Sequence, residues 1–158
     1  MIRVVLDANV IISGLLSPDG PPGKILDYFL EDQIKVFITL EILDELKRVL
    51  KYPRIQKRLD QKDIELLLNL IKTHAECVVI IGNLAVISRD PSDNKYAECA
   101  LKANVDYLVT GNMDHFTEAA TDLLKNRIIS PREFLVKLEK ELWYLADMEN
   151  TITSDYVK

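Results

Sequence analysis

The chain has 158 residues, of which 48% are hydrophobic and 28% are charged, and these values are ordinary for a globular protein of one domain. The net charge of −5 argues against a general nucleic-acid coat protein, and no apolar run approaches the roughly 18 residues that a membrane span needs. Asp7 and Asn9 interrupt the apolar N-terminal stretch, so no signal peptide is predicted and we expect a cytoplasmic protein.

The cysteines, histidines and glycines carry none of the common signature motifs. Cys77 and Cys99 lack CxxC spacing, so a zinc site is not predicted and both are expected to be buried, reduced thiols. His74 and His115 are the two histidines, and neither lies in an HExxH pattern. GxGxxG, GxxxxGK[ST] and GxSxG motifs are also absent, which argues against the nucleotide-binding and serine-hydrolase classes that carry them.

Strand and helix signals alternate along the whole chain. In the first half, the predicted elements are strand 2–6, helix 9–16, a Pro- and Gly-rich loop 17–23, helix 24–32, strand 34–39 and helix 40–52. In the second half, they are helix 60–75, strand 76–82, helix 90–105, strand 105–111, helix 115–126, strand 127–130 and helix 131–145. This alternation predicts an α/β domain over residues 1–147 with a mainly parallel sheet of about five strands. Residues 148–158 are expected to form a loose tail or to dock on a partner.

Polar side chains follow two of the predicted strands at the ends where parallel sheets bind ligands. Asp7 directly follows the first strand. Asn112 and Asp114 follow the fourth strand, in the segment TGNMDHF, after a turn made by Thr110 and Gly111. Because the carboxyl ends of parallel strands meet at one edge of the sheet, these residues are expected to lie near one another.

Glu45 is the acid on the helix LEILDELKRVL that is best placed to reach the same edge. It lies about 100° from the centre of the apolar face, on its flank, while Glu41 and Asp44 lie farther towards solvent. The alternative is a surface acid that pairs with Lys47 or Arg48.

Asp93 is the acid of interest in DPSDNKYAECA. Asp90 suits a helix N-cap, Pro91 suits the first helical position and Asp93 then falls at N3. Asp90 is expected to cap the helix. Asp93 either satisfies free N–H groups of the first turn or, since it shares a face with Tyr96 and Ala97, joins a site at the sheet.

Several carboxylates converging in a small domain raise one another's pKa values, and a divalent cation relieves that repulsion. Mg²⁺ and Mn²⁺ take carboxylate oxygens as ligands and can bridge to phosphate groups of a substrate. The chemistry that fits such a site is hydrolysis of a phosphodiester bond.

In this order, the segments VVLDANVIISGLL, LEILDELKRVL, DPSDNKYAECAL, VDYLVTGNMDHF and IISPREFL resemble those of the PIN-domain nucleases. The resemblance covers nearly the whole chain and is greatest to the single-domain prokaryotic toxins of toxin–antitoxin pairs. It implies a Rossmann-like three-layer α/β/α sandwich. It also implies a nuclease that uses Mg²⁺ or Mn²⁺ to cut single-stranded RNA.

The resemblance assigns the first three acids of the family's metal site to Asp7, Glu45 and Asp93. It makes Asn9 and Ser13 supporting polar residues near the first acid. Where the family often has a fourth acid directly after the TG turn, this chain has Asn112. Asp114, two residues further on, is the acid that could replace it, directly or through water.

The sequence hypothesis is therefore a metal-dependent endoribonuclease in which Asp7, Glu45 and Asp93 hold the cation and Asn112 or Asp114 completes the site. Residues 47–62 contain seven basic residues and one acid, and these could attract the RNA backbone even though the whole chain is acidic. The four basic residues assigned to steering RNA are Lys47, Arg48, Lys51 and Arg54.

Two rivals keep a similar fold. One is a weakly active or inactive PIN-like module that binds RNA or protein, since Asn112 breaks the acid quartet. The other is an aspartyl-phosphate phosphatase, which needs an acid two residues after the nucleophile, where this chain has Asn9. For partners, the resemblance implies an antitoxin protein and a homodimer. The apolar run Leu66–Ile71 is one candidate dimer surface, although the same run could equally belong to the core.

Overall fold

Five parallel strands form one sheet in the order β3-β2-β1-β4-β5. The computed structural model describes residues 1–82, 93–116 and 118–156, with only the backbone described for residues 118, 119 and 154–156. The strands are β1 (Ile2–Leu6), β2 (Ile34–Ile38), β3 (Glu76–Cys77), β4 (Tyr107–Val109) and β5 (Ile128–Ile129). The predicted α/β class and parallel sheet are confirmed, because every pairing in the sheet is parallel.

Helices cover both faces of the sheet, which gives the expected three-layer α/β/α arrangement. They are α1 (Ala8–Leu16), α2 (Pro21–Leu30), α3 (Leu40–Leu50), α4 (Pro53–Gln56), α5 (Gln61–His74), α6 (Asn94–Ala103), α7 (Glu118–Leu123) and α8 (Pro131–Tyr156), with a 3₁₀ turn at Met113–His115. Helix α6 contacts β1, β2 and β4 and packs beside α3, while α2 contacts β2 and α8 contacts β4 and α2. Within the described ranges, no helix is both long and apolar enough to cross a membrane.

The core lies between these layers and is continuous from strand to helix. Val4 and Val5 of the central strand are fully buried, as expected for a strand covered on both faces. Phe29 of α2, Tyr96 of α6 and Phe134 of α8 are the largest side chains that pack against the sheet with 2% exposure or less. The chain runs outward from β1 to β3 and then returns to the other side of β1 as β4. The switch point of this topology therefore lies between β1 and β4, where α/β sheets commonly bind ligands.

The prediction that residues 17–23 form only a loop is wrong. Helix α2 begins at Pro21, and Pro22 and Gly23 lie in its first turn. Proline is tolerated there because the first N–H groups of a helix have no intrahelical acceptor. Gly23 is needed for the close approach of the preceding chain, since a Cβ at this position would lie 2.0 Å from the carbonyl oxygen of Pro18.

Three other predicted elements have different bounds in the structure. The strand predicted at residues 76–82 stops at Cys77: the N–H of Val78 still donates to the carbonyl of Ile38, but β2 ends there and no pairing continues. The helix predicted over residues 115–126 is split into the 3₁₀ turn and α7. Helix α8 continues to Tyr156, so residues 148–156 are helical rather than a loose tail.

The cysteine prediction is half right. Cys99 of α6 is fully buried, and burial raises the pKa of its thiol to about 12. Cys77 is exposed on the edge strand β3, contrary to the prediction, because no described strand lies beyond that edge. Both thiols are free.

Candidate functional site

Asp7 lies at the carboxyl end of β1, at the switch point of the sheet. Its backbone N–H donates to the carbonyl of Val109 (3.0 Å), which continues the β1–β4 pairing by one hydrogen bond. The residue also begins α1, because its backbone carbonyl accepts from Val10 (2.9 Å). Strand pairing on one side and a helix start on the other therefore fix the direction of the Asp7 side chain.

The Asp7 carboxylate is buried among neutral donors. It is 4% exposed, and it accepts hydrogen bonds from the backbone N–H of Asn9 (3.0 Å) and the hydroxyl of Thr110 (2.8 Å). Burial raises the pKa of Asp7 above its ordinary value, these two donors lower the pKa in part, and the charges of Asp93 and Glu45 raise it further. Asp7 is thus a buried carboxylate whose negative charge has no cationic partner among the described residues.

Glu45 projects from α3 towards the same edge. One carboxylate oxygen lies 3.4 Å from the ammonium of Lys95 and 3.8 Å from the guanidinium of Arg48, and the other accepts a hydrogen bond from the hydroxyl of Tyr96. The pair with Arg48 matches the surface-acid alternative. Lys95 is only 8% exposed, however, and its contact draws Glu45 inward beside α6. Spacing alone could not show this ion pair between two helices.

Tyr96 links the helix acid to the strand end. Its ring is 1% exposed, its hydroxyl donates to Glu45, and the same oxygen accepts from the backbone N–H of Ala8 (3.3 Å). Burial and the hydrogen bond to Glu45 raise the pKa of the phenol well above its usual range, so the hydroxyl stays protonated and can donate. The first residue of α1 and the acid of α3 are therefore held by one side chain of α6.

Asp93 is the residue that precedes α6, rather than the third residue of that helix. Its carboxylate makes no capping hydrogen bond to the helix, and instead lies 2.6 Å from Nδ1 of His115. The geometry therefore does not support a capping role for Asp93 at α6, and it supports a contact with His115 at the sheet edge. The predicted cap at Asp90 lies outside the described residues.

These acids surround a small cavity of about 140 Å³, here named the acid cavity. Its lining residues are Asp7, Ala8, Asn9, Glu45, Val49, Asp93, Tyr96, Asn112 and His115. Asn112 reaches the cavity because its backbone N–H donates to the Thr110 hydroxyl (3.0 Å), the same group that contacts Asp7. Asp114 is exposed in the 3₁₀ turn and is not among the residues that line the cavity, so its completing the site, directly or through water, stays a prediction.

The other predicted site residues lie around the acid cavity or away from it. Asn9 lines it and holds Asp7 through its backbone N–H, while Ser13 is exposed one turn further along α1 and lines a neighbouring groove. Arg54 lines that same groove. Lys47 instead lines a separate cavity between α3 and α5, and Arg48 donates to the hydroxyl of Tyr52 (2.8 Å) besides pairing with Glu45.

The donor chemistry of the acid cavity suits a hard divalent cation. Three acidic residues and Asn112 line one small space, and Mg²⁺ and Mn²⁺ prefer carboxylate and amide oxygens as ligands. Across the described ranges, no three His, Cys, Asp or Glu side chains are arranged as a ready metal-binding group. Glu45 is turned to Lys95 and Tyr96, and Asp93 to His115. The feature that fits a cation is Asp7, a buried carboxylate that two neighbouring carboxylates destabilise.

Sequence reasoning missed three residues of the site, namely Lys95, Tyr96 and His115. Lys95 and Tyr96 follow Asp93 directly in sequence. From sequence alone, a helical lysine is expected at the surface and a helical tyrosine in the core, so neither residue indicates a site. His115 carried a signal, because it is one of two histidines and follows the strand-end turn that was already singled out. Its contact with Asp93 spans 22 positions, so only the fold brings the pair together.

Comparisons with known proteins agree with this fold. The family model of the PIN domain matches residues 3–114, a range that includes Asp7, Glu45, Asp93 and Asn112. The uncharacterized protein MJ1680 of Methanocaldococcus jannaschii is 32% identical over 148 residues, covering 88% of this chain and 93% of that protein. The crystal structure of PAE2754 from Pyrobaculum aerophilum is similar with a TM-score of 0.54 and 16% identity, over 88% of this chain and 90% of that one, and supports the fold alone.

Proposed function

Because this chain belongs to the PIN-domain family, whose members are generally nucleases, we propose that it is a metal-dependent endoribonuclease acting on single-stranded RNA. The observation that carries the proposal is the convergence of Asp7, Glu45 and Asp93 on one small cavity at the switch point of the sheet. The charges of Asp93 and Glu45 raise the pKa of buried Asp7, so the cluster favours a cation among these carboxylates.

In this proposal, Asp7, Glu45 and Asp93 would hold Mg²⁺ or Mn²⁺, and Asn112 lines the same space. When bound, the cation would supply Lewis-acid stabilisation of charge and would lower the pKa of a water molecule. The products expected of the hydrolysis are a 5′-phosphate and a 3′-hydroxyl. Thr110 and Asn9 orient the Asp7 carboxylate, and Tyr96 and Lys95 orient that of Glu45.

The test is cleavage of a single-stranded RNA oligonucleotide in the presence of Mn²⁺ by the wild type, Asp7→Asn and Asp93→Asn. Each substitution keeps the size of the side chain and removes one negative charge, and we expect each to lower the cleavage rate at least about a hundredfold. Asp44→Asn is the matched control, because Asp44 is exposed on the same helix as Glu45 and does not line the acid cavity, and we expect its rate to stay within about twofold of the wild type. Equal rates for the wild type and both cavity variants would refute the proposal.

A binding module without catalysis is the second candidate, and two observations favour it. Asn112 stands where the family often has a fourth acid, and Glu45 and Asp93 already have partners within the protein. Calorimetric titration with Mn²⁺ separates the candidates. Binding near or below millimolar concentration that Asp7→Asn abolishes supports the nuclease, whereas no binding by the wild type supports the module.

The toxin role, an antitoxin partner and a homodimer belong to the same proposal and rest on the family resemblance. A cytoplasmic location is also proposed, and it rests on the interrupted apolar N-terminal stretch. A short open reading frame directly upstream of the gene would support the toxin role. Co-expression of its product would then be expected to inhibit RNA cleavage. Sedimentation velocity of the purified chain tests the homodimer.

A further inference from the structure

A second cavity opens directly beside the acid cavity and is here named the arginine groove. Its volume is about 520 Å³, and Asn9 and Asn112 line both spaces. Around the rest of the groove lie Val10, Ile12, Ser13, Leu16, Pro22, Arg54, Ile55, Arg58, Gly111 and Pro131. A chain-like ligand seated in the groove would therefore reach the acid cavity between the two asparagines.

The positive charge of the arginine groove is not neutralised by an ion pair among the described residues. Arg54 and Arg58 are both exposed, and no carboxylate is among the described lining residues. Neither guanidinium makes an ion pair within the described part of the chain, whereas nearby Arg48 contacts both Glu45 and Tyr52. Arg54 has only an aromatic neighbour, the ring of Tyr52, whose centroid is 5.9 Å from its guanidinium carbon. Two arginines are thus available to an anionic ligand.

The remaining surface of the groove suits a nucleotide more than a compact anion. Leu16 and Pro131 contribute apolar surface, and Ser13 contributes a hydroxyl. A Cβ added at Gly111 would meet nothing within 4 Å, so protein packing does not require glycine there and the backbone stays open to the groove. Arginine binds phosphate through its planar fork, and apolar surface accepts bases and riboses of unpaired RNA.

We propose that the arginine groove binds the single-stranded RNA next to the phosphodiester bond that is cut, with Arg54 and Arg58 on consecutive backbone phosphates. This inference rests on the proposed function and names where its substrate lies. Of the basic residues expected from sequence to steer RNA, only Arg54 lines the groove, while Lys47 lines a separate cavity and Arg48 pairs with Glu45. Arg58 is an addition to that set. An acidic peptide could also meet two arginines, but continuity with the acid cavity favours the polymer that the cavity would cleave.

The experiment measures binding separately from cleavage. Fluorescence anisotropy of a labelled single-stranded RNA is recorded over a range of salt concentrations, in EDTA and again in Ca²⁺. We expect the double variant Arg54→Gln/Arg58→Gln to bind at least about fivefold more weakly. The slope of log affinity against log salt should fall by about 1.4, the value for two lost contacts to a single strand.

The matched control is Lys102→Gln/Lys140→Gln, which changes the net charge by the same amount at exposed positions outside the groove. We expect its affinity to fall less than about twofold. Arg54→Lys/Arg58→Lys should recover the salt slope but only part of the affinity, because lysine keeps the charge and loses the planar fork. Gly111→Val should weaken binding without changing the salt slope.

Equal losses in the arginine and lysine double variants would overturn the proposal, since the effect would then be general charge. Unchanged RNA binding in Arg54→Gln/Arg58→Gln, or no binding by the wild type in either buffer, would also overturn it and leave the groove to another ligand, such as an acidic peptide. Failure of the nuclease proposal gives a different result. The wild type would then bind RNA with the predicted arginine dependence but would not cleave it in Mn²⁺.

Discussion

The acid cavity and the arginine groove are adjacent and share two asparagines, yet their charged groups are used differently. In the acid cavity, each carboxylate has partners inside the protein: Asp7 has Asn9 and Thr110, Glu45 has Lys95 and Tyr96, and Asp93 has His115. In the groove, the two arginines have no ion-pair partner among the described residues. The carboxylates of the acid cavity are therefore held by contacts within the fold, whereas the arginines of the groove remain available to a ligand.

This comparison predicts that cavity substitutions change the free energy of unfolding and that groove substitutions do not. The largest change is expected for Tyr96→Phe. The ring still fits, but Glu45 loses a hydrogen-bond donor and the N–H of Ala8 loses its acceptor. Leaving the buried N–H of Ala8 without an acceptor and removing one hydrogen bond from the Glu45 carboxylate should cost roughly 2–3 kcal/mol, measured by urea unfolding. A loss below 0.5 kcal/mol, on the order of a surface substitution, would show that Tyr96 does not hold the two elements together.

The next largest change is expected for Lys95→Met, which keeps the aliphatic length and removes the buried ammonium. Glu45 retains Arg48 and Tyr96 and is partly exposed, so we expect a loss of about 1–2 kcal/mol rather than the full cost of a buried unpaired charge. The same variant removes a positive charge beside the carboxylates. If a cation binds there, calorimetry should show Mn²⁺ affinity several-fold tighter than in the wild type. Lys102→Met, an exposed lysine of the same helix, is the control.

A gain in stability is expected for Asp7→Asn. The amide carbonyl can accept from the N–H of Asn9 while the amide N–H₂ donates to Thr110, and the buried charge is removed. We expect the free energy of unfolding to rise by roughly 0.5–2 kcal/mol in metal-free buffer, although cleavage is lost. Added Mn²⁺ should stabilise the wild type but not Asp7→Asn. A destabilised variant would show instead that the Asp7 charge is favourable in the fold.

The gain should depend on pH, because the pKa of Asp7 is raised above its ordinary value of 3.8. The folded protein then holds this proton more tightly than the unfolded chain, so the wild type loses stability as pH rises through the ordinary and raised pKa values. The difference between Asp7→Asn and the wild type should therefore be small at the acid end, grow with pH and reach a plateau. Urea unfolding between about pH 4 and pH 8 measures it, and a difference independent of pH would contradict the assignment.

The smallest change is expected for Arg54→Gln/Arg58→Gln. Both side chains are exposed and make no ion pair among the described residues, so the free energy of unfolding should change by less than about 0.5 kcal/mol. The same variant is expected to lose RNA binding. A large loss of stability would mean that these arginines serve the fold, and the contrast between cavity and groove would not hold.

Much of the fold could be read from the chain because it depends on local patterns. The β-branched run of β1 and the apolar face of α3 reflect burial of particular residues, and both elements formed where expected. The predicted bounds are wrong where a residue from another part of the chain determines how far an element extends. Strand β3 is short because β2 ends at Ile38, and α2 starts early because Gly23 can pass close to Pro18.

The sequence by itself determined the α/β class and the position of Asp7 at a strand end, because each depends on residue type and short-range spacing. The family resemblance, rather than spacing, predicted Glu45 and Asp93 as its companion acids. Tertiary structure alone decided how those acids are held. Tyr96 spans from Glu45 to Ala8, His115 meets Asp93 and Asn112 rather than Asp114 faces the cavity. These contacts join residues of α1, α3 and α6 to the 3₁₀ turn and to the segment that follows β4. Their geometry depends on how α3 and α6 pack over the sheet, which no local spacing encodes.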